Sequence, residues 1–455
     1  MAAAAAIALN RFGLGARPED APPADPQRWL LAQLDRYEPL PRPWAAVDRT
    51  PVLLEALLRH RRALRRAAAD EKKAARKAYR HALRAEYVAA VGARANAALR
   101  TPAPFAERLV HFWANHFAVS VDKVAVTGLA GGIEADAIRP HVLGRFEDLL
   151  LAVTRHPAMQ LFLDQARSIG PDSPAAQRAA ELPGKRRRGL NENLAREILE
   201  LHTLGVRTGY TQQDVTEFAR ALTGWSVAAG ADGADASVFR FRPLVHEPGA
   251  RTVVGRTYAQ PGEAQARAIL HDLATAPATA RHVATKLARH FVADDPPPAL
   301  VQRLADTFQR TNGELPAVYH ALVTAPEVWQ AGAAKFKSPW DWGVSALRAL
   351  GREEIAPPQA ARLMQQLGQP VWRPGSPAGW DDVDAAWAAP DALVRRVEAA
   401  QRLAALAGDR VDARALAPRV LPGVLGEATA AAVARAESPA SALALLLVSP
   451  EFLRR

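Results

Sequence analysis

Apolar residues recur three and four positions apart along most of this chain, the spacing that places them on one face of a helix. The clearest example lies in residues 211–222, where Val215, Phe218, Ala219 and Leu222 form one such row. Alanine and arginine are abundant and lose little conformational freedom in a helix, so composition favours the same structure. The sequence therefore predicts a mostly α-helical protein, a large assembly of many helices.

Strand-like alternation stands out at one place, about residues 238–258. There Phe239 and Phe241 alternate with arginines, and Pro248-Gly249 offers a bend between two short extended segments. We therefore expect one small β-hairpin at about residues 238–258 within the helical fold.

The length of 455 residues suits two or three domains or one large helical unit. Three regions are predicted. Residues 1–100 hold the N-terminal helices, including a long, basic, alanine-rich helical arm. Residues 101–330 form a central helical core that contains a polar helical hairpin and the β-hairpin. Residues 331–455 form a C-terminal helical region.

Several classes of function are excluded or unsupported. The chain has no cysteine, which rules out disulfides, thiolate metal sites, iron–sulfur clusters and a cysteine nucleophile. It has no GxSxG, no P-loop and no credible GxGxxG, so serine hydrolase, nucleotide triphosphatase and dinucleotide-binding readings have no support. No stretch approaches the roughly 20 apolar residues of a membrane span. The N-terminus lacks the positive region of a secretion leader, which favours a cytoplasmic location.

The formal charge of +11 indicates affinity for anions. Much of it lies in residues 59–84, which could follow a line of phosphates. A solvated helical arm is the favoured interpretation, because Tyr79 is the only aromatic residue within that stretch and Tyr87 follows just beyond it. Nucleic acid is therefore the least favoured partner.

The polar helical hairpin comprises residues 191–205 and 211–222, joined by a short loop. Thr211 followed by Asp214 predicts a capping box at the start of its second helix. In the same way, Ser338, Pro339 and Asp341 predict the capped start of a later helix. Five acids and three arginines between residues 191 and 223 make it acidic within a basic chain. Clustered carboxylates can share a proton or bind a divalent metal, whereas exposed ion pairs would contribute little. The candidate site residues here are Asn193, Arg196, Glu197, Glu200, Glu217 and Arg220.

Other candidates lie outside the hairpin. Asn115 and His116 end an aromatic helix, His246-Glu247 occupies a turn, Lys286 and His290 recur four residues apart, and Trp380 lies in the Pro/Gly-rich loop at residues 370–380, a cleft lid or a packed loop. The catalytic candidates are His116, Glu197, Glu200 and His246. The binding candidates are Asn115, Asn193, Arg196, Glu217, Arg220, Glu247, Lys286, His290 and Trp380. HExxH and ExxH patterns are absent, so a divalent metal is only weakly indicated.

Several motifs occur in a characteristic order: LNRFGLGARP, FWANHFAVS, NENLAREILELHTLGV followed by GYTQQDVTEFARALTGW, HEPGARTVVGRTY, KLARHFVADDPP and FKSPW. On these motifs the chain resembles, over essentially its whole length, the large bacterial family called domain of unknown function 1800. The resemblance implies a mostly helical fold, no established activity, and a sulfatase-like, exported partner protein. Many relatives have histidine where this chain has Ala114, which argues against a paired-histidine metal site. Many also look exported, so an exported context stays open.

Two hypotheses follow. The first is a hydrolase-like enzyme in which Asn115, His116, Glu197, Glu200 and His246 converge on one polar cleft. The alternative is a non-catalytic interaction or scaffold protein that acts with a partner protein. Convergence of these five side chains would favour the enzyme, and their dispersal would favour docking.

Overall fold

The structure, a computed structural model, describes residues 2–181, 189–228, 238–330 and 335–455. The predicted mostly helical class is confirmed. The first helices are α1 (Ala2–Ala6), α2 (Pro26–Leu31), α3 (Thr50–Arg66), α4 (Ala69–Arg100), α5 (Pro104–His116), α6 (Val124–Thr127), α7 (Ala130–Gly132), α8 (Phe146–Arg155) and α9 (Pro157–Phe162). The next are α10 (Pro174–Ala180), α11 (Asn193–Glu197), α12 (Gln212–Leu222), α13 (Glu263–Thr275), α14 (Pro277–Phe291), α15 (Pro298–Arg310) and α16 (Leu315–Thr324). The last are α17 (Pro339–Ala349), α18 (Pro357–Gln366), α19 (Asp384–Trp387), α20 (Pro390–Ala407), α21 (Ala413–Val420), α22 (Glu427–Arg435) and α23 (Pro439–Leu447).

Helix starts follow local chemistry. At α12 the hydroxyl of Thr211 accepts from the backbone N–H of Asp214, whose carboxylate accepts from Thr211 in return, so the predicted capping box is confirmed. At α17 the predicted Ser338 cap accepts from the backbone N–H of Asp341, with Pro339 in the first helical position. These caps set where α12 and α17 begin, and α17 forms part of the candidate site below.

Three short helices continue into wider π-helical turns, at Ile7–Phe12, Ile133–Ile138 and Ile198–His202. Such turns are rare and occur often near functional sites. The third continues α11 and places the carbonyl of His202 within 3.1 Å of Nε2 of His116, at the end of α5. The turn thereby joins the polar hairpin to the aromatic helix.

The four strands are β1 (Trp225–Val227), β2 (Phe239–Phe241), β3 (Arg251–Val253) and β4 (Arg256–Tyr258). The predicted small hairpin is confirmed, formed by antiparallel β3 and β4. The turn between β3 and β4 is Val254-Gly255, not the predicted Pro248-Gly249. Val254 and Gly255 both have positive φ, as a type I′ turn requires. The phenylalanine strand β2 pairs instead with β1, Trp225 opposite Phe241.

Buried apolar side chains form one contiguous cluster that extends from Ile7 to Phe452. Helix α5 passes through it and is buried along almost its whole length. Within the cluster the indole N–H of Trp113 donates to the hydroxyl of Tyr319 over 2.7 Å, which satisfies a polar group that burial would otherwise leave unpaired. The core therefore holds α5 rigidly and sets the position of its C-terminal residues. The division at residues 100 and 330 stays a prediction.

Helices α3 and α4 follow one another in the region where the arm is predicted, and the ring of His60 on α3 stacks on that of Tyr79 on α4. Helix α4 has 32 residues, about 48 Å in length, and most of its side chains are buried only from Ala90 onward. We call residues 59–84 the basic arm. Across the described chain no helix combines the length and apolar character needed to cross a membrane.

Candidate active site

A cavity of about 280 Å³ lies where α5, α14 and α17 meet the segment between α18 and α19. We call residues 368–383 the cavity loop. Aromatic rings form much of the wall, namely Phe112, Phe336, Trp340, Trp372, Trp380 and Trp387. The polar lining comprises Arg94, His111, Asn115, His116, Lys286, Arg289, His290, Lys335, Ser338, Asp341, Gln369, Asp381, Asp382 and Arg455. An apolar wall with a limited set of converging polar groups is typical of small-molecule sites.

His290, in the last turn of α14, is held by the cavity loop. Its Nδ1–H donates to Oδ2 of Asp382 over 2.6 Å. Its Nε2 is buried and has no hydrogen-bond partner among the described residues. Burial lowers the pKa of His290 to about 4, because the opposing attraction of Asp382 is the smaller effect. At neutral pH the imidazole is therefore uncharged, with its free lone pair on Nε2.

Asp382 lies between three cationic or hydrogen-bonding groups. Lys335 Nζ is 3.3 Å from its carboxylate and donates to its backbone carbonyl over 2.6 Å, while also bonding Asp294. Arg455 lies 3.8 Å from the same carboxylate. Burial raises the pKa of Asp382, but His290, Arg455 and Lys335 outweigh it and hold the pKa far below its usual range. Asp382 is therefore ionised and can orient His290.

Asp341, in the first turn of α17, is a second buried carboxylate in the wall. It accepts from Arg108 over 2.9 Å and lies 3.2 Å from Nε of Arg455. Burial raises its pKa, yet these two guanidinium groups lower it well below the ordinary value. Arg455 thus contacts both Asp341 and Asp382, which fixes its side chain at the cavity.

The cavity loop is anchored to α5 through Asn115. The side-chain amide donates to the carbonyl of Trp380 over 2.8 Å and accepts from its backbone N–H over 2.7 Å. Gly379 has φ +86°, and a Cβ there would lie 2.3 Å from the carbonyl oxygen of Asn115. Trp372, in the same loop, has φ +50°, a conformation costly for a bulky residue. Asn115 thus acts in the structure as a clamp on the loop that carries Asp382.

His116 and Lys286 lie beside this clamp. Nε2 of His116 donates to the carbonyl of His202 over 3.1 Å, while its buried Nδ1 has no partner among the described residues. Burial, and then the charge of Lys286, hold the pKa of His116 well below its ordinary value. Burial also lowers the pKa of Lys286 to about 8. His116 is therefore neutral, and its role in this geometry is to connect α5 to the hairpin.

His111 has a neighbour on each side of its ring. Nδ1 accepts from the indole N–H of Trp340 over 3.1 Å, and Nε2 lies 3.5 Å from the buried carboxylate of Glu107. The guanidinium of Arg94 lies 4.6 Å from the ring centre of Trp340, a cation–π contact. These contacts hold His111 and Trp340 in the wall of the cavity, although Nε2 of His111 has no hydrogen-bond partner among the described residues.

Five residues named from the sequence line this cavity: Asn115, His116, Lys286, His290 and Trp380. They come from α5, α14 and the cavity loop, which are far apart in sequence. The structure brings them together because α5 and α14 share the buried core. Their roles in function stay predictions.

The hairpin candidates lie outside the cavity lining. Arg196 pairs with Glu200 at 3.7 Å, and Glu217 with Arg251 at 3.1 Å and Arg220 at 3.4 Å. Asn193 is exposed. Burial, followed by repulsion from Glu200, raises the pKa of Glu197 to about 6.

His246 and Glu247 also lie apart from the cavity lining. Nδ1 of His246 is 2.8 Å from the carbonyl of Thr223. The buried carboxylate of Glu247 accepts from the backbone N–H of Asp172 over 2.8 Å. Both side chains hold loops in place. Of the five side chains expected to converge, Asn115 and His116 line the cavity, whereas Glu197, Glu200 and His246 do not. The polar cleft predicted from these five residues is therefore absent from the cavity lining, and an enzyme at this cavity would depend on other residues.

Four of the charged residues that line the cavity were not among the candidates named from the sequence. They are Lys335, Asp341, Asp382 and Arg455. Asp341 was interpreted only as a helix-capping residue. A local signal existed for Asp382, because two consecutive aspartates follow Trp380 in a loop rich in proline and glycine. No local sequence pattern identifies Arg455 or Lys335 as site residues. Only their long-range contacts place them at the cavity. Within the described ranges, no three histidine or carboxylate groups are placed to hold a metal ion.

The structure is thus a mostly helical protein with a polar, aromatic-lined cavity between helices as its candidate site. A family model described as "Protein of unknown function (DUF1800)" matches residues 7–454. The chain belongs to this family, and the resemblance inferred from its motifs is confirmed. Searches of curated proteins and of solved structures found no match.

Proposed function

We propose that this protein is a hydrolase-type enzyme whose cavity binds a small substrate and whose His290 is the general base. One observation carries the proposal. Nδ1 of His290 is held by Asp382, while Nε2 is buried without a partner among the described residues. An aspartate that fixes the tautomer and orientation of a neutral histidine is the arrangement by which enzymes activate a nucleophile.

The chemistry follows from the free nitrogen. A water molecule donates a proton to Nε2 of His290, and its oxygen forms a bond to an electrophilic carbon or phosphorus of the substrate. The bond to the leaving group breaks, and the leaving group receives the proton from His290. Asp382 remains ionised and stabilises the imidazolium that forms between these steps. Lys286 and Arg455 are placed in the same lining to stabilise negative charge that develops on the substrate.

The test is a panel of chromogenic esters, phosphate esters and glycosides with wild type and two histidine variants. His290→Asn removes the proposed base. His271→Asn is the matched control, since His271 is exposed and pairs with Glu147 over 2.9 Å away from the cavity. We expect the His290 variant to lose about 10²-fold or more of the turnover and the control to retain it. Equal turnover in both variants, or none on any substrate class by folded wild type, would contradict the proposal.

The basic arm favours a second candidate function, docking to an acidic partner protein. Of its eleven lysines and arginines, Arg59 alone has an ion pair with a described side chain, at 3.5 Å from Glu55. An exposed row of cations runs along α4: Lys73, Lys77, Arg80 and Arg84. Tyr79, the aromatic residue within the arm, stacks on His60 at 3.9 Å, which supports a protein partner over single-stranded nucleic acid.

The sulfatase-like protein implied by the family resemblance is the first partner to test. Changing the four residues of the α4 row to glutamine removes four positive charges. We expect weaker binding and a smaller loss of affinity as salt increases. The control is Arg395→Gln with Arg402→Gln on α20, whose cations already have carboxylate partners. Unchanged affinity for the row variant would exclude the arm as the docking surface.

A further inference from the structure

The cavity contains more positive than negative charge. Five basic side chains, those of Arg94, Lys286, Arg289, Lys335 and Arg455, line it with three aspartates, which leaves two positive charges in excess. Charge that is removed from water is costly unless it has a partner. The excess positive charge therefore favours an anionic ligand. The cations that would bind it are those with N–H groups that have no acceptor in the described part of the chain.

Two of the five cations have carboxylate partners outside the cavity lining, and a third is held by a backbone carbonyl. Arg94 lies 3.2 Å from Glu134, and Lys335 bonds Asp294 over 2.6 Å. Arg289 donates to a backbone carbonyl through Nε. These side chains support the walls of the cavity and are not free to bind a ligand through the same groups.

The other two cations have donors to spare. Lys286 has neither a hydrogen bond nor an ion pair with any described residue. The side chain of Arg455 is only 2% exposed, and its Nη1 has no hydrogen-bond partner among the described residues. Among the described residues, Arg396 is the other arginine with a buried Nη1 that lacks a partner, and it lies outside the cavity lining. An anionic or carbonyl oxygen in the cavity would satisfy the Arg455 donor.

These donors surround the proposed base. Lys286 and His290 are four residues apart on α14, so they lie on the same face of the helix. Arg455 and His290 are both in contact with Asp382, at 3.8 Å and 2.6 Å. A group held by Lys286 and Arg455 would therefore lie in the part of the cavity that His290 and Asp382 line.

We infer that the substrate carries an oxyanion, a carboxylate or a phosphate, which Lys286 and Arg455 bind beside His290. This inference rests on the proposed function and names its substrate class. The aromatic walls, with Trp380 partly exposed at the cavity, suit the organic remainder of such a molecule. A volume of about 280 Å³ limits the substrate to a small organic acid or phosphate ester.

The first experiment measures binding of inorganic phosphate, acetate and the neutral acetamide by calorimetry and thermal melting. Wild type should bind phosphate or acetate and ignore acetamide, and the preferred anion identifies the oxyanion. Lys286→Gln and Arg455→Gln should each weaken that binding about tenfold or more, and Lys286→Arg should restore part of it. Arg281→Gln, exposed on the same helix, is the matched control. Circular dichroism verifies that each variant is folded.

The results separate the two claims. Failure of both anions to bind, or binding that the Lys286 and Arg455 variants do not weaken, overturns the oxyanion inference even if His290→Asn abolishes turnover. Anion binding that depends on Lys286 and Arg455, together with unchanged turnover in His290→Asn, upholds the anion site and overturns the proposed base. Competitive inhibition of turnover by the bound anion supports both.

Discussion

The polar hairpin and the cavity are both rich in charge, but their unpartnered polar atoms lie in different surroundings. In the hairpin, Glu192 accepts hydrogen bonds from Thr216 and Gln212 over 2.7 and 2.8 Å. The buried hairpin atoms without a partner among the described residues include Nε of Arg220 and Nδ1 of His202, and both residues lie outside the cavity lining. In the cavity, Nε2 of His290 and Nη1 of Arg455 have no partner among the described residues. Clustered charge in a sequence therefore indicates that polar groups meet. Binding of a ligand is indicated only where polar groups that line the same cavity lack hydrogen-bond partners.

The largest expected difference between the two regions is in turnover. Asp382→Asn removes the acceptor that orients His290, and we expect kcat to fall by about 10²–10⁴-fold. Because Asp382 raises the pKa of His290 against burial, the acid limb of the pH–rate profile should also move to lower pH. Glu217→Gln in the hairpin, which breaks the pair with Arg251, should leave both measurements unchanged. If the Asp382→Asn variant kept full activity, the cavity and the hairpin would not differ in their contribution to turnover.

The next difference is in stability. Asp341→Ala leaves Arg108 and Arg455 buried without their shared carboxylate, and we expect the free energy of unfolding to fall by about 3–5 kcal/mol. Glu200→Ala breaks a partly exposed pair with Arg196 and a side-chain hydrogen bond with Tyr210, and should cost about 1 kcal/mol. Urea denaturation measures both. Similar losses of unfolding free energy in the two variants would show that the buried ion pairs of the cavity do not stabilise the protein more than the partly exposed pair of the hairpin.

Acidification should act on buried histidines of both regions, namely His290 at the cavity and His282, whose Nε2 donates to the carbonyl of Leu201 in the hairpin. Burial lowers the pKa of His290 and of His282 to about 4, below the ordinary value near 6.5. The folded state then binds fewer protons, so stability is complete above about pH 6.5 and is lost as pH falls towards 4. Each histidine should account for about 1–2 kcal/mol between pH 7 and 5. His282→Gln should flatten the dependence, whereas His320→Gln, at an exposed position, should not.

The smallest effect has the opposite sign and lies in the hairpin. Burial and Glu200 raise the pKa of Glu197 to about 6, so its stabilising contribution is present below pH 4.5 and is lost as pH rises through 6. Glu197→Gln should therefore stabilise the protein by about 1 kcal/mol at pH 7.5 and have no effect at pH 4. Thermal melting at the two pH values measures the difference. A variant that is less stable at pH 7.5 would indicate a favourable contact of the carboxylate.

Several features of this protein were readable from local sequence. Helical spacing predicted the buried row of Val215, Phe218 and Leu222, each fully buried in the structure. Local caps predicted where α12 and α17 begin, and the motif order predicted the family. These predictions succeed because they depend on contacts between residues a few positions apart, whose geometry the helix itself determines.

The cavity was decided by tertiary structure. Four residues separate Lys286 from His290, so the sequence could group them, but Asp382 reaches His290 from 92 positions away. Arg455 meets Asp341 only because the end of the chain packs against the start of α17. Which polar groups are paired, and which are left unpaired and buried, depends on such distant contacts and on the exclusion of water from between them. The spacing of apolar residues along the chain predicts neither these distant contacts nor the exclusion of water.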